Sequence, residues 1–416
     1  MVANNTIDDM IEKAVFDPDK QVRESQQQNI KDMASSQGIH PASIQGLYEA
    51  AGQGHYSHKT VPAINIRGMT YDVARAVFRM ALKHNAGAFI FELARTEMVY
   101  TSQPAEEYAT SVLAAALKEG YTGPVFIQGD HFQLNRSRYR AVPKGETDSV
   151  EKSAREAIIA GFLNIDIDAS TLVDLDKPDL DEQQRDNYLV TADTTRFIRS
   201  IQPEDVTVSV GGEIGEVGKS NTTVAELRAF MKGYTARLGK NLKGISKMSL
   251  QTGTTHGGVV LPNGSIADVK LDFNTIKELS RVAKQEFGVG GIVQHGASTL
   301  PDEMFELFPE SDTLEIHLAT GFQNIIYDHP SFPEELLASI YGYLKDNHSN
   351  EKQPSDTEEQ FLYKTRKKAW GPFKEQTWHL PGEIRLEIMG ALENQFSHLF
   401  RSLNVTDTRE LVSKYV

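Results

Sequence analysis

The chain has 416 residues, with 43 Lys and Arg against 57 Asp and Glu and a formal net charge of −14. That balance argues against nucleic acid or a membrane surface as the main partner. There is no cysteine, which excludes disulfides and thiolate ligands, so any metal must be held by His, Asp, Glu or water. The opening MVANNTIDDMIEKAV lacks the basic-then-apolar pattern of a signal peptide. No apolar run reaches the roughly 18 residues of a membrane span, so a soluble, cytoplasmic protein is expected.

Residues 1–58 are polar and helix-prone and are expected to form a helical N-terminal extension. From Val61 the texture changes. VPAINI (61–66), AFIFEL (88–93) and PVFIQGDH (124–131) are predicted strands. The helical patterns TYDVARAVFRMALKHN and AEEYATSVLAAALKEG separate them, the second ending at a glycine stop. The alternation continues with strands at FLNIDIDAS (162–170), VTVSVGGEIG (206–215), ISKMSLQTG (245–253), GIVQHGAS (291–298) and TLEIHLATG (313–321). Helical segments lie between them, the last a short one at PDEMFELF. Eight strands alternating with helices predict parallel β/α units closed into a TIM (β/α)8 barrel over residues 59–330. Residues 331–416 are expected to be a helical C-terminal extension.

Three histidines close three of these strands, in IQGDH (His131), QTGTTHGG (His256) and IVQHGAST (His295). Chemistry on such a barrel lies at the C-terminal strand ends, which places all three on one rim. One histidine there can simply satisfy backbone groups. Three beside Gly or Asp predict a metal site, because three protein ligands plus an open position is the catalytic zinc pattern. Glu213 and Asp168 end two further strands on the same rim, and His317 lies near the end of the last. Asp130 precedes His131 and is a candidate acid/base, although neighbours on an extended strand point to opposite faces unless the strand ends there. The small-residue loops GAST (296–299) and ATGFQN (319–324) follow the last two strands, where many barrels hold phosphate.

These motifs, in this order, resemble the class II, metal-dependent fructose-bisphosphate aldolases. The resemblance covers roughly residues 60–330 and rests on QGDH (Asp130, His131), IDAS (Asp168), GGEIGEVG (Glu213), GTTHGG (His256) and HGAS (His295). It implies a lyase that reversibly cleaves a phosphorylated ketose, first among them fructose 1,6-bisphosphate to dihydroxyacetone phosphate and glyceraldehyde 3-phosphate. Zinc or another divalent metal on His131, His256 and His295 would stabilise the enediolate, with Glu213 and Asp168 holding an alternative metal position or orienting the ligands. Asp130 would handle the hydroxyl proton. The donor phosphate would lie on the amides of Gly257, Gly296, Ser298 and Thr320, with a monovalent cation as a further cofactor. YKTRKKAWGPFK is similar to a family stretch that would make Arg366 a distal phosphate contact. A homodimer or homotetramer is implied.

The departures fall where substrate would be touched. Gln128 stands where the family usually has a histidine two residues before the catalytic Asp, and HLATG replaces N-I-D-T-D. The loop carrying the donor-carbon base does not match, leaving Glu216 as its candidate. The alternatives are tagatose-bisphosphate, a sulfo- or deoxy-ketose phosphate, or a non-catalytic aldolase-like partner subunit.

Overall fold

The computed structural model describes residues 6–215, 221–252, 260–261 and 271–416. Helices covering a sheet from outside demand apolar residues on the outward strand face, and a parallel sheet follows. Among the described residues nine strands form in this way. They are β1 (Ile39–Ala42), β2 (Val61–Asn65), β3 (Ile90–Ala94), β4 (Gly123–Gln133), β5 (Asn164–Asp168), β6 (Ser209–Ile214), β7 (Lys247–Leu250), β8 (Ile292–Gln294) and β9 (Glu315–Leu318). β2 pairs with β9 and β4 with β5, so β2 to β9 close into an eight-stranded parallel barrel. All eight predicted barrel strands are present.

β1 was not expected. It lies in the N-terminal segment between helices Lys20–Ser36 and Gln45–Gly52 and pairs with the first residues of β4, Ile39 opposite Gly123. Four residues carry too short a pattern to announce a strand, and its pairing partner is far along the chain. The predicted helix at PDEMFELF is reduced to a 3-10 turn at Asp302–Met304 and a single turn at Leu307–Glu310. Elsewhere the helix signals act as read. Thr223 and Glu226 form a reciprocal capping box at the start of Val224–Leu238. Gly120, at φ 69°, ends Ala105–Glu119. Among the described residues no helix is long and apolar enough to cross a membrane.

The barrel interior is charged. Lys247 Nζ on β7 lies 2.9 Å from Asp166 on β5, 2.6 Å from Glu315 on β9 and 2.6 Å from Gln128 Oε1 on β4. None of these strands is a hydrogen-bonded neighbour of β7, so the ammonium must reach across the barrel interior. The signal in sequence is a period of two: Asn164, Asp166 and Asp168 alternate with Ile165 and Ile167, and Glu315 and His317 with Ile316 and Leu318. Gly211 makes the room. A Cβ there would stand 2.3 Å from Asp166 Oδ1 and 3.0 Å from Lys247 Cε. Gly211→Ala is therefore expected to destabilise the fold by about 1–3 kcal/mol through overpacking, measured by denaturant unfolding; a neutral change would show that the network has slack.

The C-terminal extension folds back on the barrel. Helix Gly382–Ser402 is tied to helix Thr70–Lys83 by Arg79–Glu393 (2.6 Å) and Arg385–Asp72 (3.1 Å). Trp370 packs against the backbone of Gly68, just past β2, where a Cβ would lie 2.0 Å from the indole. Its Nε1–H donates to Gln323 at 3.1 Å. This anchor brings residues 363–367 to the mouth of the barrel.

Candidate active site

A cavity of about 500 Å³ opens at the C-terminal strand ends. Asp130 and His131 both line it although they are sequence neighbours. The strand does not end there, as the alternation rule would require; it bulges. The β4–β5 register shifts between Gly129 and Phe132, and His131 takes φ 42° in the left-handed region. One extra residue in the strand turns both side chains to the same side. A non-glycine residue held at such a φ is strained, and strain of this kind clusters at functional sites.

The residues the sequence singled out fall into four groups. Asp130, His131, His295, Gly296, Ser298 and Thr320 line the cavity. Asp168 and Glu213 stand behind His131, at 3.2 and 3.4 Å from its Nδ1. His256, Gly257 and Glu216 lie outside the described residues. Arg366 corrects the distal-phosphate expectation, because its guanidinium is already bound. It donates to Asp328 at 2.6 and 2.9 Å and to Asn324 at 2.6 Å, over the rings of Tyr327 and Tyr363, away from the cavity. Its neighbour Lys367 lines the cavity instead, beside Lys364 and Tyr363.

His131, Glu213 and His295 can bring one ligand atom each within 4.8 Å of one another. The His131 and His295 rings are 4.4 Å apart between centroids. Two imidazoles and a carboxylate suit zinc or another divalent first-row metal. Asp168 is fixed by Ser170 and Gln133, and would orient His131 in the manner of a carboxylate behind a metal-bound histidine. Electrostatics supports the fit. Burial and the nearby Asp168 charge push Glu213 up to about 7. Burial opposes a charge on His131, yet Asp130, Glu213 and Asp168 hold its pKa well above the usual histidine value. Protons thus occupy a site whose carboxylates demand positive charge, and a divalent cation would displace them.

His317 stands on the other side of His295, their rings 4.1 Å apart between centroids. Its Nδ1 lies 3.0 Å from Glu92 and 3.1 Å from Asp130, and its Nε2 2.6 Å from Glu315. Two further groupings, Asp130–His295–His317 and Asp166–Glu315–His317, also come within 4.8 Å. Nε2 is hydrogen-bonded to Glu315, whereas the buried Nδ1 has no hydrogen-bond partner among the described residues and faces Glu92 and Asp130. Lys247 already neutralises Asp166 and Glu315. Asp130 stays ionised: burial opposes its charge, but His131, His317 and His295 hold its pKa well below the usual range.

Sequence reasoning missed Glu92, Lys247, Asn65, Arg67 and Glu97. Asn65 ends β2 and Arg67 follows it, and they bind Glu97 at 2.6 and 2.7 Å, forming one wall of the cavity. The available signal was a charged residue inside or at the start of an otherwise apolar strand, at Glu92 and Lys247. At the rim, the loops after β8 and β9 meet backbone to backbone: a Cβ on Gly321 would lie 2.2 Å from the Ser298 carbonyl oxygen.

The chain belongs to the class II fructose-bisphosphate aldolase family, whose model matches residues 42–368. Members of this family are typically dependent on a divalent metal. A search of curated proteins returned no match. Among solved structures, the chain is similar to the YdjI aldolase from Escherichia coli K12, with 14% identity, 88% of this chain and 98% of that one covered, and a TM-score of 0.52. It is also similar to a fructose-bisphosphate aldolase from Campylobacter jejuni (16% identity, 89% and 96% covered, TM-score 0.50). A third is the fructuronate-tagaturonate epimerase UxaE from Cohnella laeviribosi (14% identity, 84% and 82% covered, TM-score 0.54). At these identities the likeness speaks for the fold.

Proposed function

We propose that the protein is a divalent-metal-dependent aldolase that reversibly cleaves a phosphorylated ketose, with fructose 1,6-bisphosphate the first candidate. The observation that carries this reading is the β4 bulge, which aims an ionised carboxylate (Asp130) and a candidate ligand (His131) into one cavity. His131, Glu213 and His295 would hold the cation, together with His256. When bound, it supplies Lewis-acid stabilisation of the charge that develops on the substrate's ketone oxygen.

Asp130 takes the proton from the hydroxyl on the carbon whose bond breaks. The aldehyde forms, and the electron pair stays on the donor carbon beside the ketone. Gly296, Ser298 and Thr320, with Gly257, would hold the donor phosphate. Lys367 is suited to the anionic group at the other end. Burial and the Arg67 charge lower its pKa, and its ammonium has no hydrogen-bond or ion-pair partner among the described residues.

The test is metal analysis of the purified chain together with a panel of ketose bisphosphates and keto-uronates, with and without a chelator. The expected result is at least one equivalent of divalent metal and aldehyde release from a ketose phosphate that the chelator abolishes. Activity indifferent to the chelator would overturn the metal assignment. Epimerisation of a keto-uronate with no aldehyde released would replace the aldolase reading.

A further inference from the structure

Aldol cleavage moves two protons. One leaves the hydroxyl of the breaking bond, and one must arrive on the donor carbon. Asp130 serves the first. The second takes place at a different carbon and calls for an acid/base placed there.

The floor of the cavity holds a carboxylate that no step so far uses. Glu92, on β3, lines the cavity and is 1% exposed. Its Oε2 accepts from Gln128 Nε2 at 3.0 Å and lies 3.0 Å from His317 Nδ1. Its Oε1 accepts no hydrogen bond from any described residue. One oxygen is therefore anchored and the other left for a reactant. Gln128 also donates to Glu315 at 3.0 Å and accepts from Lys247, so the anchor is tied into the barrel's charged interior. His317 Nδ1 touches Glu92 and Asp130 together, at 3.0 and 3.1 Å.

We propose that Glu92 is the acid/base for the donor carbon, positioned by Gln128 and His317. This rests on the aldolase reading above. In the cleavage direction the carbon–carbon bond breaks and its electron pair remains on the donor carbon as the enediolate. The protonated Glu92 carboxyl delivers its proton there, giving the donor ketone and a Glu92 carboxylate. Asp130 then releases the hydroxyl proton to solvent and Glu92 regains one from it, so both groups return to their starting states. No proton is gained or lost overall. In the condensation direction the Glu92 carboxylate removes the donor-carbon proton.

The experiment uses the full chain loaded with divalent metal, dihydroxyacetone phosphate alone and heavy water, with deuterium uptake at the donor carbon followed by NMR. The wild type is expected to exchange. Glu92→Gln should lose exchange by at least about 10²-fold, the scale of a removed acid/base, with metal content and affinity for the donor unchanged. Exchange by Glu92→Gln at the wild-type rate would overturn the assignment. Should Glu92→Gln not fold, Glu92→Asp carries the test: exchange slowed at least tenfold supports the role, and a wild-type rate overturns it. Absence of both exchange and ketose cleavage in the wild type would instead remove the aldolase reading itself.

Discussion

His131→Ala is expected to lose bound divalent metal and to lower carbon–carbon cleavage by about 10³-fold or more. The residue sits at the β4 bulge, within 3.2–3.4 Å of Asp168 and Glu213 and beside the His295 ring. Truncating it removes one donor from a set of few and leaves the carboxylates behind it without their partner. Lewis-acid stabilisation of the reacting oxygen is worth several kcal/mol, and each ~1.4 kcal/mol is tenfold in rate. Metal content and steady-state cleavage should be measured on the same preparation. His131→Gly adds a control. It removes the same imidazole but relieves the φ 42° backbone, so it should match alanine in lost activity and exceed it in stability by about 1 kcal/mol. Either variant within tenfold of wild-type activity would exclude His131 as a ligand.

Lys247→Met should give the largest loss of stability, about 3–5 kcal/mol at neutral pH, because it leaves buried carboxylates unpaired. Lys247 is 1% exposed and holds Asp166 and Glu315 across the barrel interior. The pH dependence fixes the sign. Glu315 is held well below its usual pKa despite burial, by Lys247 and His317. Its contribution to wild-type stability is thus present above the unfolded-state pKa and lost as the pH falls through the folded one. Without Lys247 the orphaned acids favour their protonated forms, so the variant should recover stability as the pH falls. Urea unfolding at pH 8 and pH 5 should show a wide gap between wild type and variant at the first and a narrow one at the second. A loss under about 1 kcal/mol at pH 8 would mean the pair carries little of the fold.

Much of the site was legible because chemistry-bearing residues at strand ends stand out. QGDH, GGEIG and QHGAS each put a polar side chain after an apolar run, and the barrel places such ends on one rim. What was not legible follows from contacts between distant segments. The alternation rule separates Asp130 from His131, and only the β4–β5 register shift reunites them. Nothing in TRKKAW says which cation faces the cavity. Trp370 docking on Gly68, and Asp328 and Asn324 capturing Arg366, turn Lys367 inward instead. Glu92 lies inside the apolar run FIFEL with no motif around it, and β9 carries His317 to its side.

By itself, the sequence determined the alternation of eight strands with helices and the histidines and carboxylates available to a cation. Both are local properties: hydrophobic period sets the element, and side-chain chemistry sets what can be bound. The tertiary structure alone decided the β4 bulge, the charged barrel interior around Lys247, the approach of His317 to His295, Asp130 and Glu92, and the placement of Lys367 rather than Arg366 at the cavity. Each depends on which groups share a buried volume, where an unpaired charge is so unfavourable that partners are selected by position across the barrel rather than by neighbourhood in the chain.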